Sequence, residues 1–591
     1  MLVTWSLKKM RKCAVMSLLT RCRGEKIYMK TKTGVMNKLK SNRAFWIICV
    51  LFLAIQYFLC IHYGMKRDYL FCDEVYSYGL ANSNEHTFLH PGENDEPLDN
   101  WVSGSYFSDY MNYGDETFNY KAAYVNQERD VHPPLYYMLL HTVCRFFKGA
   151  GYSVIPGIVL NLIILAFVDI VLMYVAVNLL GSRWRGLAAT VLWGISSVGI
   201  SNCMLIRMYL LQTFEVLLFV AAHIYILKHK KKMTVPYFIM LALTVFLGGL
   251  THYYFYFFVA GLGLCVCIYL LSVKRVKEMF AYGFSLVAGL VCAIAVFPAT
   301  IAHIFGYRGD YATKNLTGFS TRKFISYIGY VNKAYFAGLL PVILLIVIAL
   351  IIVYIVSKFV IIHISLKRED HSIKYSVDVN RIDVNGKYTG TLSANALLFA
   401  AVMIADAILA FVGIQGSELV NARYIYSALP VFAIFMVWGM AKLLAVVAPV
   451  NYNVIIGVVC LILCAGSIKV NGVDWQYVTY PERKEAVEQM AGKDCIIVCH
   501  GDGKWNNIYA GINAFSVMDR CRYVYEDDLG ELSDLTADCG DELYMAVIND
   551  PRFDKTEIQK DIKKIRKTTK YKNVEKTYDY AGIKIFRMTT K

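Results

Sequence analysis

The sequence predicts a mainly helical, polytopic membrane protein that carries a small α/β domain at its C-terminal end. Three observations lead there. Of 591 residues, 57% are hydrophobic and only 18% charged, against about 45–50% and about 25% in soluble domains. The apolar residues are gathered into long runs, about eleven of them near the length that crosses a bilayer. After residue 470 the runs stop, and short apolar segments alternate with charged ones. An ordinary cytosolic enzyme, a disordered chain and a collagen-like chain are excluded by the same figures.

The net charge of +16 invites a nucleic-acid reading until it is located. Residues 1–43 hold twelve Lys/Arg and one acid, Glu25, so +11 of the charge lies in one tail ahead of the first apolar run. That is the signature of a cytoplasmic anchor for a membrane helix, and no nucleic-acid partner is expected. The first span, Phe45–Tyr63, is too long and too far along the chain for a cleaved signal peptide. Further spans read as 153–180, 187–206, 208–227, 236–251, 253–273, 279–305, 334–362, 394–414, 425–447 and 453–470.

Pro133–Phe147 decides the topology. It is apolar, only about fifteen residues long, and includes His141 and Arg145, so it is shorter than a spanning helix. Were it to cross, the clusters Arg183/Arg185, Lys228–Lys232 and Lys274/Arg275/Lys277 would face outward, against the positive-inside rule. As an interfacial amphipathic helix it leaves all three inside, together with the loop 366–391. The N-terminus is then cytoplasmic. The outer face carries a first loop (65–152), a basic loop (306–333), the turn 415–424 and everything after Lys469. The expected domains are a tail (1–43), a membrane domain (44–470) and an extracytoplasmic domain (471–591). In that last part Cys495–His500, Leu543–Ile548 and Ile583–Met588 read as strands, and Glu482–Met490 and Lys555–Thr568 as charged helices. Its cysteines, Cys495, Cys499, Cys521 and Cys539, lack the spacing of zinc pairs, and any disulfide among them cannot be paired from sequence.

Two motifs at the membrane surface bear chemistry. Asp73-Glu74 follows the first span. Asp as N-cap with Glu in the first turn is what a helix start favours, and the same geometry suits carboxylates that take a proton from a hydroxyl. Asp130-Val131-His132-Pro133-Pro134-Leu135 precedes the interfacial helix. Proline at a helix start again explains part of it. Asp130 and His132 are candidate metal ligands, but two ligands do not make a site, so a divalent metal is left open. One outer loop thus presents an acidic pair near its start and an Asp-x-His at its end.

Together these motifs resemble those of the protein O-mannosyltransferases and, more broadly, of the glycosyltransferase family 39 and aminoarabinose-transferase-like enzymes of the GT-C superfamily. The resemblance runs over roughly residues 44–470. It implies a membrane helix bundle with juxtamembrane helices in the first outer loop. It also implies transfer of mannose or another hexose from a polyprenyl-phosphate donor to a protein, lipid or cell-wall glycan acceptor. On this resemblance Asp73 is the catalytic base, Glu74 its neighbour in the sugar or acceptor site, and Asp130 and His132 line the site near phosphate or acceptor. Val131 and the run Ile206-Arg207-Met208-Tyr209 depart from the aminoarabinose branch, which has carboxylates there, so that branch's zinc site is not carried over.

An anionic donor calls for cations. Arg207 with Tyr209 at the outer end of the third span, and Arg423-Tyr424 in a late outer turn, are the candidates for binding phosphate; arginines at a membrane edge also simply snorkel. Arg308, Lys314, Arg322 and Lys323 make the loop 306–333 basic, as a loop closing over phosphate or an amphipathic surface helix would be. Thr251-His252-Tyr253-Tyr254 fits either an interfacial aromatic belt or sugar stacking. Two other classes compete. A lipid-linked sugar flippase would show charged or broken helices at the midplane and two related halves. A non-catalytic envelope protein would make the motifs mere caps.

Overall fold

A computed structural model of the chain describes residues 3–6, 32–84, 86–89, 100–111, 118–147, 153–229, 233–369, 372–381, 394–417, 420–447, 452–477, 481–499, 505–525, 529–548, 555–580 and 583–590. Most of the basic tail, Lys230–Lys232, much of the loop 366–391, and His500 lie outside these. Among the described residues, six helices are long and apolar enough to cross a membrane: Asn42–Met65, Ile155–Leu180, Phe255–Ser272, Val276–Val296, Asn395–Gly416 and Tyr452–Asn471. A seventh crossing is the pair Arg183–Gly194 and Ser197–Met204, bent by 56°. Shorter apolar helices at Tyr209–Tyr225, Val235–Gly249, Leu340–Ala349 and Leu429–Ala445 complete the bundle. The protein is therefore an integral, multi-pass membrane protein, and each apolar segment read from the sequence coincides with a helix or bent pair.

The differences lie at breaks. The expected span 187–206 bends because Ser196 caps a new helix, its hydroxyl accepting from the Gly199 N–H. The span 279–305 ends at Val296, and Pro298 starts a separate helix, Ala299–Phe305, since proline cannot continue the ladder. The span 334–362 begins only at Leu340, after Gly338 turns the chain at φ +81°. Beyond Phe359 the chain is not loop but a strand pair, β3 (Val360–Glu369) and β4 (Ser372–Arg381), with β1 (Val3–Ser6) on the outer side of β3. The first helix starts at Lys32, inside the expected tail.

The bundle has two chemically different ends. At one, Arg183 reaches the Asn42 side chain and lies 5.1 Å over the Phe45 ring, so the basic turn between the second and third crossings sits beside the start of the first. At the other, the first loop folds into short helices. Asn126 of helix Tyr120–Arg129 donates to the carbonyls of Ser83 (2.8 Å) and Leu80 (3.3 Å), closing the C-terminal end of helix Cys72–Asn82. The segment expected to lie at the interface forms a ten-residue helix, Leu135–Cys144, too short to span. Tyr136, Tyr137, Leu140, His141 and Cys144 are buried while Phe146 is 77% exposed.

The C-terminal part forms a six-stranded sheet with β2 (Val102–Ser103), β5 (Asp494–Cys499), β6 (Arg520–Tyr525), β7 (Glu542–Ile548), β8 (Asn573–Tyr580) and β9 (Ile583–Thr589), in the order β2-β6-β5-β7-β9-β8. β5 pairs in parallel with β6 and β7; the others are antiparallel. The edge strand β2 (Val102–Ser103) comes from the first loop, so residues 471–591 do not build the sheet alone. β6 and β8 were not anticipated: their alternation of charged and apolar residues marks half-exposed strands that carry no apolar run. Among the described residues the cysteines are free thiols, and Cys495 is the register partner of Cys521.

Close packing within the first loop gives a test. A Cβ at Gly79 would fall inside the Tyr110 ring, whose hydroxyl is engaged by the Thr87 carbonyl at 2.9 Å. Gly79→Val is expected to destabilise the loop by about 1–3 kcal/mol, read as a lower melting temperature of the detergent-purified protein.

Candidate active site

The helix Cys72–Asn82 starts two residues earlier than the sequence suggested. Phe71 is the N-cap, with Asp73 and Glu74 in the first turn. That register separates the two carboxylates. Glu74 points inward and is fully buried. One oxygen accepts from the Ile206 N–H (2.8 Å); the other accepts from the Phe71 N–H (2.7 Å) and is paired with the equally buried Arg67. Arg67 in turn reaches the Met204 carbonyl. Glu74, expected in the sugar or acceptor site, is instead a saturated structural carboxylate that caps its helix and ties it to the 204–206 turn. It has no surface left for a substrate.

Asp73 faces the other way and keeps 22% of its side chain exposed. Its carboxylate is paired with Arg423, and Arg207 donates to its backbone carbonyl at 3.2 Å and to Ser77 Oγ at 3.4 Å. Burial alone pushes the Asp73 carboxyl up, but Arg423 and then Arg207 outweigh it and hold it below the usual carboxylate range.

Asp130 and His132 meet each other, Oδ2 to Nδ1 at 2.8 Å. Asp130 is lowered in the same manner, burial opposed chiefly by His132 and Arg207. An ionised Asp130 can only accept, so His132 Nδ1 carries the proton and, in the neutral ring, Nε2 is the acceptor. The His132 ring stays below its ordinary value because burial, reinforced by Arg207, outweighs the pull of Asp130. Among the described residues no group of three or more His, Cys, Asp or Glu is arranged to hold a metal. Asp130 and His132, the candidate ligands, are bonded to one another through Nδ1.

Five distant segments thus converge. Arg207 lies 5.9 Å from the Tyr137 ring centre. Tyr209 packs against His252 (5.5 Å) and Tyr424 (6.3 Å). Arg423 lies 5.0 Å over the Tyr424 ring and 5.6 Å over Phe71, and donates to the Tyr424 hydroxyl at 3.1 Å. Among the described residues, Arg207 Nε, Arg423 Nε and the Tyr137 hydroxyl are buried hydrogen-bonding groups without a partner. Three such donors on residues gathered around one carboxylate match an anion with several acceptor oxygens.

Two further residues join this cluster: His252, which the sequence left open between an aromatic belt and sugar stacking, and Tyr137, which the sequence did not single out. His252 stands 6.2 Å from His132, brought there because the Leu135 N–H bonds the Leu250 carbonyl (3.0 Å). Its Nδ1 accepts from the Tyr254 N–H (3.1 Å). Burial, with His132 and Arg207 adding to it, drives it well below the usual histidine range, so it is a neutral ring with Nε2–H to offer. Tyr137 looked like one more aromatic of an apolar helix; its spacing of four from Pro133 was the available signal. The basic loop resolves into helices Tyr307–Thr317 and Thr321–Ala334. Lys323 does not turn to the cluster but donates to the carbonyls of Gln415 (3.2 Å) and Ser417 (2.5 Å), completing the end of helix Ala394–Gly416.

Removing Glu74 should unfold before it inactivates. Glu74→Ala leaves Arg67 buried and unpaired, a loss of about 3–5 kcal/mol, expected as poor recovery of folded protein by size exclusion in detergent.

No protein-family model and no curated protein sequence matches the chain. Among solved structures it is similar to the crystal structures of ArnT from Cupriavidus metallidurans, bound to undecaprenyl phosphate and in the apo state. They are 11% and 12% identical, each over 92% of this chain and 98% of that chain, with a TM-score of 0.47.

Proposed function

We propose that the chain is a membrane glycosyltransferase of the GT-C kind, moving a sugar from a polyprenyl-phosphate donor to a hydroxyl acceptor on the outer face. One observation carries the reading: Asp73 is held against the partly buried Arg423 and the buried Arg207, in a cluster where both guanidinium Nε groups and the Tyr137 hydroxyl lack partners. A base and a set of anion donors are thereby adjacent, as displacement of a phosphate leaving group requires. The cluster lies at one end of the bundle rather than at mid-depth, which favours surface chemistry over passage of a lipid-linked sugar.

The reaction follows from these positions. The phosphate of the donor takes the unpaired donors of Arg207 and Arg423, worth on the order of 3–4 kcal/mol each where charge develops. The acceptor hydroxyl approaches the anomeric carbon from the opposite side, its O–H directed to Asp73. The new C–O bond forms as the bond to the phosphate oxygen breaks. The proton passes to Asp73, the electron pair leaves with the phosphate, and the anomeric configuration inverts. A phosphate leaves as an anion, so no general acid is needed. While paired with Arg423, Asp73 is a weak base. As the phosphate draws Arg423 toward itself, burial of Asp73 is opposed less and its basicity rises, which ties proton abstraction to donor binding. Tyr209, Tyr424 and His252 form the aromatic wall, and Asp130 holds the His132 ring so that Nε2 can meet the acceptor or the phosphate. The sugar is mannose or another hexose on the resemblance alone.

Transfer of radiolabelled sugar from polyprenyl-phosphate donors by the protein in nanodiscs tests the reading. Asp73→Asn is expected to lower transfer by about a hundred- to ten-thousand-fold while the protein stays folded; an active Asp73→Asn removes the assignment.

The pH profile has a definite sign. Because Asp73 is held low, it remains ionised and competent as pH falls through the ordinary aspartate value of about 3.9, so its acid limb in kcat/KM lies below that. Arg423→Ala removes the leading influence that lowers it, burial prevails, and the residual activity should show an acid limb moved to higher pH.

A further inference from the structure

The segment that leaves the last membrane helix crosses beneath this cluster and touches both of its halves. Asp474 Oδ2 accepts from the hydroxyls of Tyr426 (2.8 Å) and Tyr330 (3.0 Å), and its backbone N–H donates to Ser201 Oγ (2.9 Å). Tyr426 is three residues beyond Arg423. Trp475 donates its Nε1–H to the same Tyr426 hydroxyl (3.1 Å) and packs on Phe71, ring centres 5.3 Å apart. Phe71 is the N-cap of the helix that bears Asp73, and the Arg423 guanidinium lies over its ring. Tyr477 stacks on the other side of the contact, 6.0 Å from Phe71 and 9° from parallel, while its carbonyl accepts from the N–H groups of Asp68 (2.9 Å) and Tyr69 (3.1 Å). Trp475 is buried with a left-handed backbone, φ +66°, a conformation that a bulky residue holds only where its surroundings impose it.

We infer that Asp474–Tyr477 is a strap that sets the Arg423 turn against the Asp73 helix, with Asp474 as a positioning residue acting through Tyr426 and Trp475 acting through Phe71. The inference rests on the transferase reading and deepens it. Neither residue touches the proposed substrates. Arg423 and Asp73 come from segments far apart in the chain, and the strap is the common body against which both are packed. The Asn421 side chain, which accepts from the Arg423 N–H (3.2 Å), and Tyr327, which donates to the Asn421 carbonyl (2.9 Å), fix the near end of the same turn. Asp474 fixes the far end.

The test uses the full chain in nanodiscs with two readouts. In sugar transfer, Asp474→Ala should lower kcat on the order of ten- to a hundred-fold through misplacement of Arg423, with Asp474→Asn, which keeps an acceptor oxygen for the phenols, recovering most of the loss. Added to Arg423→Ala it should cost less than about two-fold more, since residues acting as a unit are not additive; a full, additive loss in the double variant overturns the proposal. In hydrogen exchange, Asp474→Ala should speed the amides of 71–75 and 421–426 and leave the remaining helices unchanged. Unchanged exchange in those two stretches overturns the strap whatever the assay gives. Faster exchange there, in a protein that transfers no sugar even as wild type, upholds the strap and sinks the transferase reading instead. Should Asp474→Ala fail to fold, Tyr426→Phe, which removes the hydroxyl's bonds to Asp474 and Trp475 and little volume, is expected to show the same pattern in both readouts.

Discussion

A buried carboxylate organises the end of the bundle that carries the candidate site. Glu74 is fully enclosed, and an enclosed charge is tolerable only when its lone pairs are met by donors and an opposite charge. It finds them in three places: its own helix start at Phe71, the Ile206 amide in the break between two membrane helices, and Arg67 at the end of the first. Phe71 and Arg67 lie within seven residues of Glu74, whereas Ile206 is 132 residues away. Satisfying Glu74 therefore pins the first-loop helix to the 204–208 turn, and once that is done Asp73 and Arg207 have no choice but to meet. The ion pair with Arg423 is built on that foundation.

Much of the architecture was legible because hydrocarbon thickness and charge asymmetry act on composition, which a sequence displays directly. The helices stand where the apolar runs are, and the break points at Ser196 and Pro298 follow from local chemistry. Side-chain direction was not legible. Asp73 and Glu74 are adjacent acids in one helical turn, and no pattern within a single chain says which faces inward. The roles of Lys323 and Asp474 depend on partners some ninety residues and fifty residues away, a separation that periodicity does not see. The strands β6 and β8 were missed because half-exposed strands carry polar residues at every second position.

The C-terminal domain belongs to the same argument. Its β6 takes β2 of the first loop as an edge strand. Tyr509 packs at 3.9 Å on Tyr76, one turn along from Asp73, and donates no freedom to the loop either: its hydroxyl accepts from the Leu89 N–H (2.8 Å), while Tyr523 donates to the Leu89 carbonyl (2.6 Å). An edge strand covered in this way is also protected from pairing elsewhere. The helix bearing Asp73 is thus gripped by the bundle through Glu74, by the strap through Phe71, and by the domain through Tyr76.

Charge balance explains why so rigid a cluster suits an anion. Arg67 with Glu74 and Arg423 with Asp73 cancel, and Asp130 offsets Arg207 while His132 and His252 are held neutral by burial. The assembly is close to neutral as it stands, which is how so many ionisable groups coexist away from water. On the proposed transferase reading, an entering phosphate would upset that balance by adding negative charge near His132. The influence that depresses the imidazole is then opposed, and a proton from solvent can settle on Nε2 while Nδ1–H remains on Asp130. On that reading anion binding and protonation of His132 would favour each other by linkage, so the cluster would gain its compensating cation only when there is a charge to compensate. A permanently charged third residue in that place would have cost stability at all times; a depressed histidine does not.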